Sequence, residues 1–418
     1  MSGTVPTAAL SPSAGRSAFA LAPPAGRLPR VQSVDILRGL AMIIMALDHV
    51  RDFLHGGAQH FDPTDVSRTT PVLFFTRWIT HFCAPTFMFL AGASAYLYLR
   101  RGKSRPQVAR FLITRGSWLV FLELTWVLCF GWKMNFAYDQ LFLWVIWALG
   151  VSMIALAGLI FVPRRLLLAL SLAVIVLHNA FDPLTPAQLG GAGWLWKILH
   201  VSDSIPVSAH LTILTTYPLL PWIFVMSAGY CFGAVMDLDS EHRRQLLLRL
   251  GAALTAGFVV LRWSNIYGDM HSWASQTSAA MTVVSFLSVT KYPPSLLYLL
   301  MTLGPGIYLL GLLERVKLRD ANPLIVFGRV PLFFYLLHLP LIHLAAIALA
   351  WFRHGQMRFM LNNPPSLWGP ARLFPPDYGY SLVVVYLVWV GVLLALYPPC
   401  KWFSTIKQKS TSVLLSYL

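Results

Sequence analysis

Ten apolar stretches of span length, separated by polar turns and loops, dominate this sequence and decide what solvent it folds in. A helix rising about 1.5 Å per residue needs about 20 mainly apolar residues to cross a hydrocarbon core roughly 30 Å thick. The expected spans are 35–55, 72–99, 109–131, 139–162, 165–181, 210–235, 246–265, 293–313, 323–351 and 380–399. With 57% hydrophobic and 11% charged residues and a mean hydropathy of +0.63, the 418 residues describe one lipid-embedded body, not a set of soluble domains. The expected fold class is all-α, a polytopic transmembrane bundle of about ten helices. No repeat of fixed period is evident.

Cations between the runs set the expected orientation, because Lys and Arg are retained on the cytoplasmic side during insertion. They concentrate in alternate loops: Arg16, Arg27, Arg30 and Arg38; Arg100, Arg101, Lys103, Arg105 and Arg110; Arg164 and Arg165; Arg243, Arg244 and Arg249; Arg315, Lys317 and Arg319; Lys401, Lys407 and Lys409. Both ends are therefore expected in the cytoplasm. The longer loops 182–209, 266–292 and 352–379, rich in Trp, Tyr, Pro and Asn, are expected on the outer side. A net charge of +16 spread in such clusters reads as topology, and nucleic acid is excluded as a partner. Residues 1–30 are expected to be a disordered cytoplasmic tail, since Ala18 to Ala22 is too short, and too soon broken by Pro23 and Pro24, for a signal peptide. Residues 31–403 then form the membrane domain and 404–418 a second cytoplasmic tail. Cys83, Cys129, Cys231 and Cys400 lie in or beside apolar runs, with no CxxC pair or metal-ligand spacing, so reduced structural thiols and no metal are expected.

Ionisable groups inside the runs are costly, about 2.5 to 3.5 kcal/mol each near the bilayer centre, so each should be paired, wet or functional. The first span, SVDILRGLAMIIMALDHVRDFLHGG, opens with Asp35 and Arg38 and closes with Asp48, His49, Arg51, Asp52 and His55. Arg38 and His49 are about three turns apart, which puts them on one face roughly 16 Å apart along the axis. That face could contact a long ligand with an anionic end at Arg38; equally, Arg38 snorkels as an anchor and His49 is hydrogen-bonded in the bundle. Asp48, Arg51, Asp52 and His55 have the three- and four-residue spacing of helical ion pairs. In the second span Arg77 and His81 could face the same vestibule as His49, and the small residues Ala91, Gly92, Ala93 and Ser94 permit close helix contact. Glu123 in the third span is expected to pair with a cation, and His338 in the ninth calls for a water-filled cavity or an interhelical hydrogen bond.

The run VDILRGLAMIIMALDH resembles the opening helix of the heparan-alpha-glucosaminide N-acetyltransferase catalytic-domain family and, more loosely, that of membrane acyltransferases that decorate bacterial surface polysaccharides. HFCAPTFMFLAGAS and ANPLIVFGRVPLFFYLLH are similar to that family's Phe-Pro-x-Phe and Asn-Pro-Leu…Tyr-x-x-His regions. The polysaccharide-acyltransferase pattern carries its essential His onto His49. The glucosaminide-acetyltransferase pattern has Asn there and its active-site His at the position of His60, and an acidic residue where this chain has His81. The resemblance implies an integral membrane enzyme of a bacterial inner membrane that moves an acetyl group from cytoplasmic acetyl-CoA to an amine or hydroxyl of an envelope glycan or glycolipid. It implies His49 and His60 as catalytic, Asp48, Arg77, His81 and His338 as supporting polar groups, and Arg38, Arg100, Arg101 and Lys103 as the cations for the nucleotide phosphates. The expected partners are the bilayer and the glycan acceptor, with a homodimer admissible. A multi-pass transporter or permease is the alternative, its buried polar groups then lining a solute path.

Overall fold

A computed structural model describes residues 31–361, 374–410 and 415. The tail expected over 1–30 and part of that expected over 404–418 lie outside the described residues. The chain runs α1 (Gln32–Leu54), α2 (Pro71–Trp78), α3 (Cys83–Arg100), α4 (Arg105–Leu122), a π-helical continuation (Glu123–Trp132), β1 (Gln140–Leu143), α5 (Val145–Leu159), α6 (Arg164–Leu177), α7 (Gly193–Leu199), β2 (Asp203–Ser208), β3 (Leu211–Thr215), α8 (Leu219–Phe232), α9 (Ser240–Ser264), α10 (Ala279–Leu287), α11 (Leu296–Leu313), α12 (Pro323–Arg329), α13 (Pro331–His354) and α14 (Leu382–Lys409). Among the described residues eight helices are long and apolar enough to cross a membrane: Pro71–Arg100, Arg105–Trp132, Arg164–Phe181, Leu219–Asp237, Ser240–Ser264, Leu296–Leu313, Pro331–His354 and Leu382–Lys409. Two expected spans differ from these. α1 has 23 residues but carries Asp35, Arg38, Asp48, Arg51 and Asp52, and α5 is apolar but only 15 residues long. The molecule is a multi-pass, all-α membrane bundle.

Local chemistry sets the boundaries. Ser104 and Gln107 form a reciprocal capping box ahead of Pro106, and Ser295 and Asn322 accept from the first-turn amides of α11 and α12. The expected span 323–351 is two helices, because Pro331 has no N–H to continue α12 and disfavours helical geometry at Val330, whose φ/ψ is −130°/51°. Apolar runs at 139–162 and 210–235 begin as strands: β1 lies parallel to β3, and β3 antiparallel to β2. An apolar run alone does not separate buried strand from buried helix. α14 continues through 404–409, where a tail was expected.

α1 stands at the centre, packed against α3, α11, α12, α13 and α14. Two glycine pairs allow backbone-to-backbone approach. A Cβ on Gly39 would lie 1.9 Å from the Leu324 carbonyl oxygen, and one on Gly328 1.9 Å from that of Asp35, where α1 crosses α12. Gly92 and Gly229 play the same part between α3 and α8, as the small residues of α3 suggest. Glu123 has no cation within ion-pair distance among the described residues. Its Oε2 instead accepts from the Ile146 and Trp147 amides at 3.2 Å each. The expected cation is replaced by the N-terminus of α5, whose unpaired N–H groups and dipole supply the positive end. All four cysteines are free thiols and buried.

Candidate functional site

The last turns of α1 build the site. Asp48 is the hub: Arg77 Nη1 on α2 donates to both carboxylate oxygens (2.7 and 2.6 Å), Thr80 Oγ1 donates at 2.8 Å, and Arg51 Nη1 lies 2.9 Å away. Arg51 also pairs with Asp52. Two carboxylates are thus matched by two guanidiniums in a buried lattice that ties α1 to α2. The spacing that suggested ion pairs along α1 does produce them, and Arg77 joins from outside.

Beside this lattice lies an open cavity of about 980 Å³ including its mouth. It is lined by Asp48, His49, Arg51 and Asp52, by Trp144 and Tyr335, and by Tyr217, Lys291 and Tyr292, with the Tyr217 and Tyr292 rings 5.3 Å apart. The His49 ring is wedged between Trp132 and His338, each with its centroid 5.2 Å away. Its Nδ1 is enclosed and without a hydrogen-bond partner, and the Asp52 Oδ2 carboxylate oxygen is 3.9 Å off. Asp62, an exposed residue of the lining, has its Oδ1 accepting from the Thr64 amide at 2.8 Å and hydroxyl at 2.7 Å. Burial alone would raise the Asp62 carboxyl, but Arg77, together with Thr64, holds it below its ordinary value.

The other expected residues fall as follows. His60 is exposed and does not line the cavity; its carbonyl accepts from Arg68 Nη1 at 2.8 Å. His81 is buried against the Tyr298 ring, away from the cavity lining, and its carbonyl accepts from the Tyr298 hydroxyl at 2.8 Å. His338 is fully buried behind His49; its Nδ1 meets the Tyr335 carbonyl at 2.6 Å and its Nε2 is enclosed without a partner. Arg38 donates to the Gly328 carbonyl at 3.3 Å and to Ser94 Oγ at 3.2 Å, near Asp35. Arg100 pairs with Asp237 at 3.1 Å, and Arg101 and Lys103 are exposed in the turn after α3. None of these four cations lines the cavity. A shallow apolar hollow of about 240 Å³, open space included, lies between α1, α3 and α11, lined by Leu37, Thr86, Phe89 and Gly306 among others. Cys83 to Leu90 of α3 contributes to both the cavity and the hollow. Among the described residues no three His, Cys, Asp or Glu side chains are placed to hold a metal ion.

Lys291, Tyr292 and Tyr217 were not anticipated, and Tyr335 stood only within the Tyr-x-x-His stretch without a role of its own. One signal was available: Lys291 is the sole Lys or Arg between Arg262 and Arg315.

The arrangement offers an imidazole on the wall of a cavity, next to a charge lattice that is internally balanced. No curated protein matches the chain. The family model described as "Heparan-alpha-glucosaminide N-acetyltransferase, catalytic" matches residues 30–265, more than half of the sequence. That segment contains Asp48, His49, Arg51, Asp52, His60 and Arg77, while Lys291, Tyr335 and His338 lie beyond it. The chain belongs to the heparan-alpha-glucosaminide N-acetyltransferase catalytic-domain family and is, in general terms, a multi-pass membrane acetyltransferase.

Proposed function

We propose that the protein transfers acetyl from cytoplasmic acetyl-CoA to an amine or hydroxyl of a glycan or glycolipid on the far side of a bacterial inner membrane, with His49 as general base. The observation that carries this reading is the place of His49, on the cavity wall between Trp132 and His338 with no carboxylate in hydrogen-bond contact. An imidazole left unpaired in this way is available to take a proton. The acceptor attacks the thioester carbonyl carbon and loses its proton to His49. The tetrahedral intermediate then collapses, expelling the CoA thiolate, which recovers the proton from the imidazolium. His49 is preferred to His60 because His60 is exposed and holds Arg68 through its backbone carbonyl.

The donor enters, in this reading, from the end of the bundle that carries Arg38, Arg100, Arg101 and Lys103.

The test is release of free thiol from acetyl-CoA by the full-length protein in detergent, with glucosamine as acceptor. His49→Ala is expected to lower the rate by at least ~10²-fold, the usual contribution of a positioned general base. His60→Ala is expected to cost less than that. Thiol release by His49→Ala at the parental rate would refute the assignment. No release by the parent, coupled to solute uptake in vesicles, would favour the permease reading, for which the broken α12–α13 pair is the supporting feature.

A further inference from the structure

Lys291 is a buried cation on the cavity wall without a carboxylate of its own. It is 8% exposed and lines the same cavity as His49. Among the described residues no Asp or Glu oxygen lies within ion-pair distance of it; its Nζ sits 5.0 Å from the centre of the Tyr292 ring, and the Tyr292 side chain is its hydrogen-bonding neighbour. The lattice beside it has no carboxylate to spare, because Asp48 takes Arg77 and Arg51, and Asp52 takes Arg51. Asp62, the remaining acid of the lining, is engaged by Thr64. A buried charge in this condition is expensive, so a chain that keeps one has a use for it or loses stability for nothing.

The turn that carries Lys291 is held from several directions. Asp269 Oδ2 accepts from the Thr290 amide at 2.8 Å and from Ser295 Oγ at 2.7 Å, and its Oδ1 accepts from Thr290 Oγ1 at 2.9 Å. His178 Nε2 meets the Pro294 carbonyl at 2.9 Å, and Asn179 Oδ1 accepts from the Leu296 amide at 2.8 Å. Ser288 Oγ reaches across to the Thr64 carbonyl at 3.0 Å, joining the turn to the loop that bears Asp62. None of these clamps touches the ammonium group itself. They fix the backbone, while the ammonium is held only by the neutral Tyr292 side chain at the cavity wall.

We propose that Lys291 donates to the thioester oxygen as it becomes an oxyanion, which makes it a catalytic residue for the acetyl transfer proposed above and rests on that reading. When the acceptor's lone pair forms the new bond to the carbonyl carbon, the C=O π pair moves onto oxygen. Lys291 stabilises that charge. The pair returns as the carbon–sulfur bond breaks, and the thiolate leaves with the proton held by His49. A buried cation whose backbone is fixed in advance acts most strongly where charge appears only in the transition state. Neither Arg51 nor Arg77 can serve equally, since each is already committed to a carboxylate.

The experiment compares the full-length parent, Lys291→Met and Lys291→Arg in detergent by thiol release from acetyl-CoA with glucosamine, and by apparent melting temperature. Lys291→Met is expected to lower kcat by about 10²- to 10³-fold, with the KM for acetyl-CoA little changed. It should melt no earlier than the parent, because it removes a buried charge that has no carboxylate partner. Lys291→Arg, which keeps the charge, is expected to fall between the two in rate. A Lys291→Met protein that keeps the parental kcat, or that loses activity together with several degrees of melting temperature while Lys291→Arg restores neither, overturns the assignment. If the parent releases thiol and only the Lys291 prediction fails, His49 chemistry survives alone. If the parent releases none, the acetyl-transfer reading falls and this inference falls with it.

Discussion

Asp48→Asn tests whether the charge lattice holds the site together. The substitution keeps an acceptor for Thr80 and Arg77 but removes the charge that both guanidiniums face. Removing one partner from a buried pair costs about 3–5 kcal/mol, chiefly because the remaining charge stays buried and unmatched. Here the side chains of Asp48 and Arg77 are 12% and 11% exposed, at the edge of the cavity, so solvent screening puts the expected cost at the low end of that range, about 3 kcal/mol. At ~2–4 °C per kcal/mol for a domain of 150–250 residues, and less for a longer chain, the melting temperature should drop by about 5 °C. The assay is tryptophan fluorescence during heating of purified protein in detergent, with Trp132 and Trp144 close to the lattice. The decisive sample is Asp48→Asn combined with Arg77→Met. Removing the stranded cation should return part of the loss, giving a coupling of about 0.5–3 kcal/mol between the two sites. A single mutant within ~1 °C of the parent, or a double mutant equal to the sum of the singles, would refute the argument that Asp48 and Arg77 stabilise as a unit.

Two further outcomes follow from the geometry. Glu123→Gln keeps an oxygen for the Ile146 and Trp147 amides and should cost less than ~1 kcal/mol, whereas Glu123→Leu strands both and should cost about 1–3 kcal/mol by thermal unfolding; a severe loss from Gln would restore the cation that the sequence suggested. Asp62, held below its ordinary value of 3.8, contributes stability that is complete above that value and disappears as pH falls through the lower folded-state value. Asp62→Asn should therefore flatten the acid limb of a melting-temperature curve below about pH 5 and leave the neutral region little changed; an unaltered acid limb would show that Arg77 and Thr64 do not hold the ionised form.

What could be read from the chain and what could not divide along a physical line. Apolar length and basic turns gave the bundle, because lipid leaves few other solutions for the backbone. Spacing within α1 announced Asp48, His49, Arg51 and Asp52 as one group, since three- and four-residue intervals hold for any regular helix. The same rule put Arg77 and His81 on a common face, and there it met a local exception. The chain tightens into a 3₁₀ turn at Ile79–Phe82, about 120° per residue instead of 100°, so His81 turns to Tyr298 while Arg77 stays with Asp48. Glu123 found a helix end where a cation was expected, a substitution invisible in sequence because α5 begins 22 residues further on.

Lys291 was hardest to see for a related reason. Its significance depends on which carboxylates are already taken, and that is settled by Arg51 and Arg77, more than 200 residues earlier in the chain. Close contacts along α1 can be inferred from intervals; a cation left without a contacting carboxylate in a cavity cannot, since that depends on every group that reaches the space. The glycine pairs show the intermediate case. Gly92 stood in a stretch of small residues and could be assigned to a helix crossing, whereas the Gly39–Gly328 contact joins residues 289 positions apart and appears only when α12, cut short by Pro331, lies across α1. That crossing helps place α1 against α12 and α13, and hence His49 against His338. The chemistry proposed for the cavity therefore depends on helix breaks and bare backbone that carry no reactive group at all.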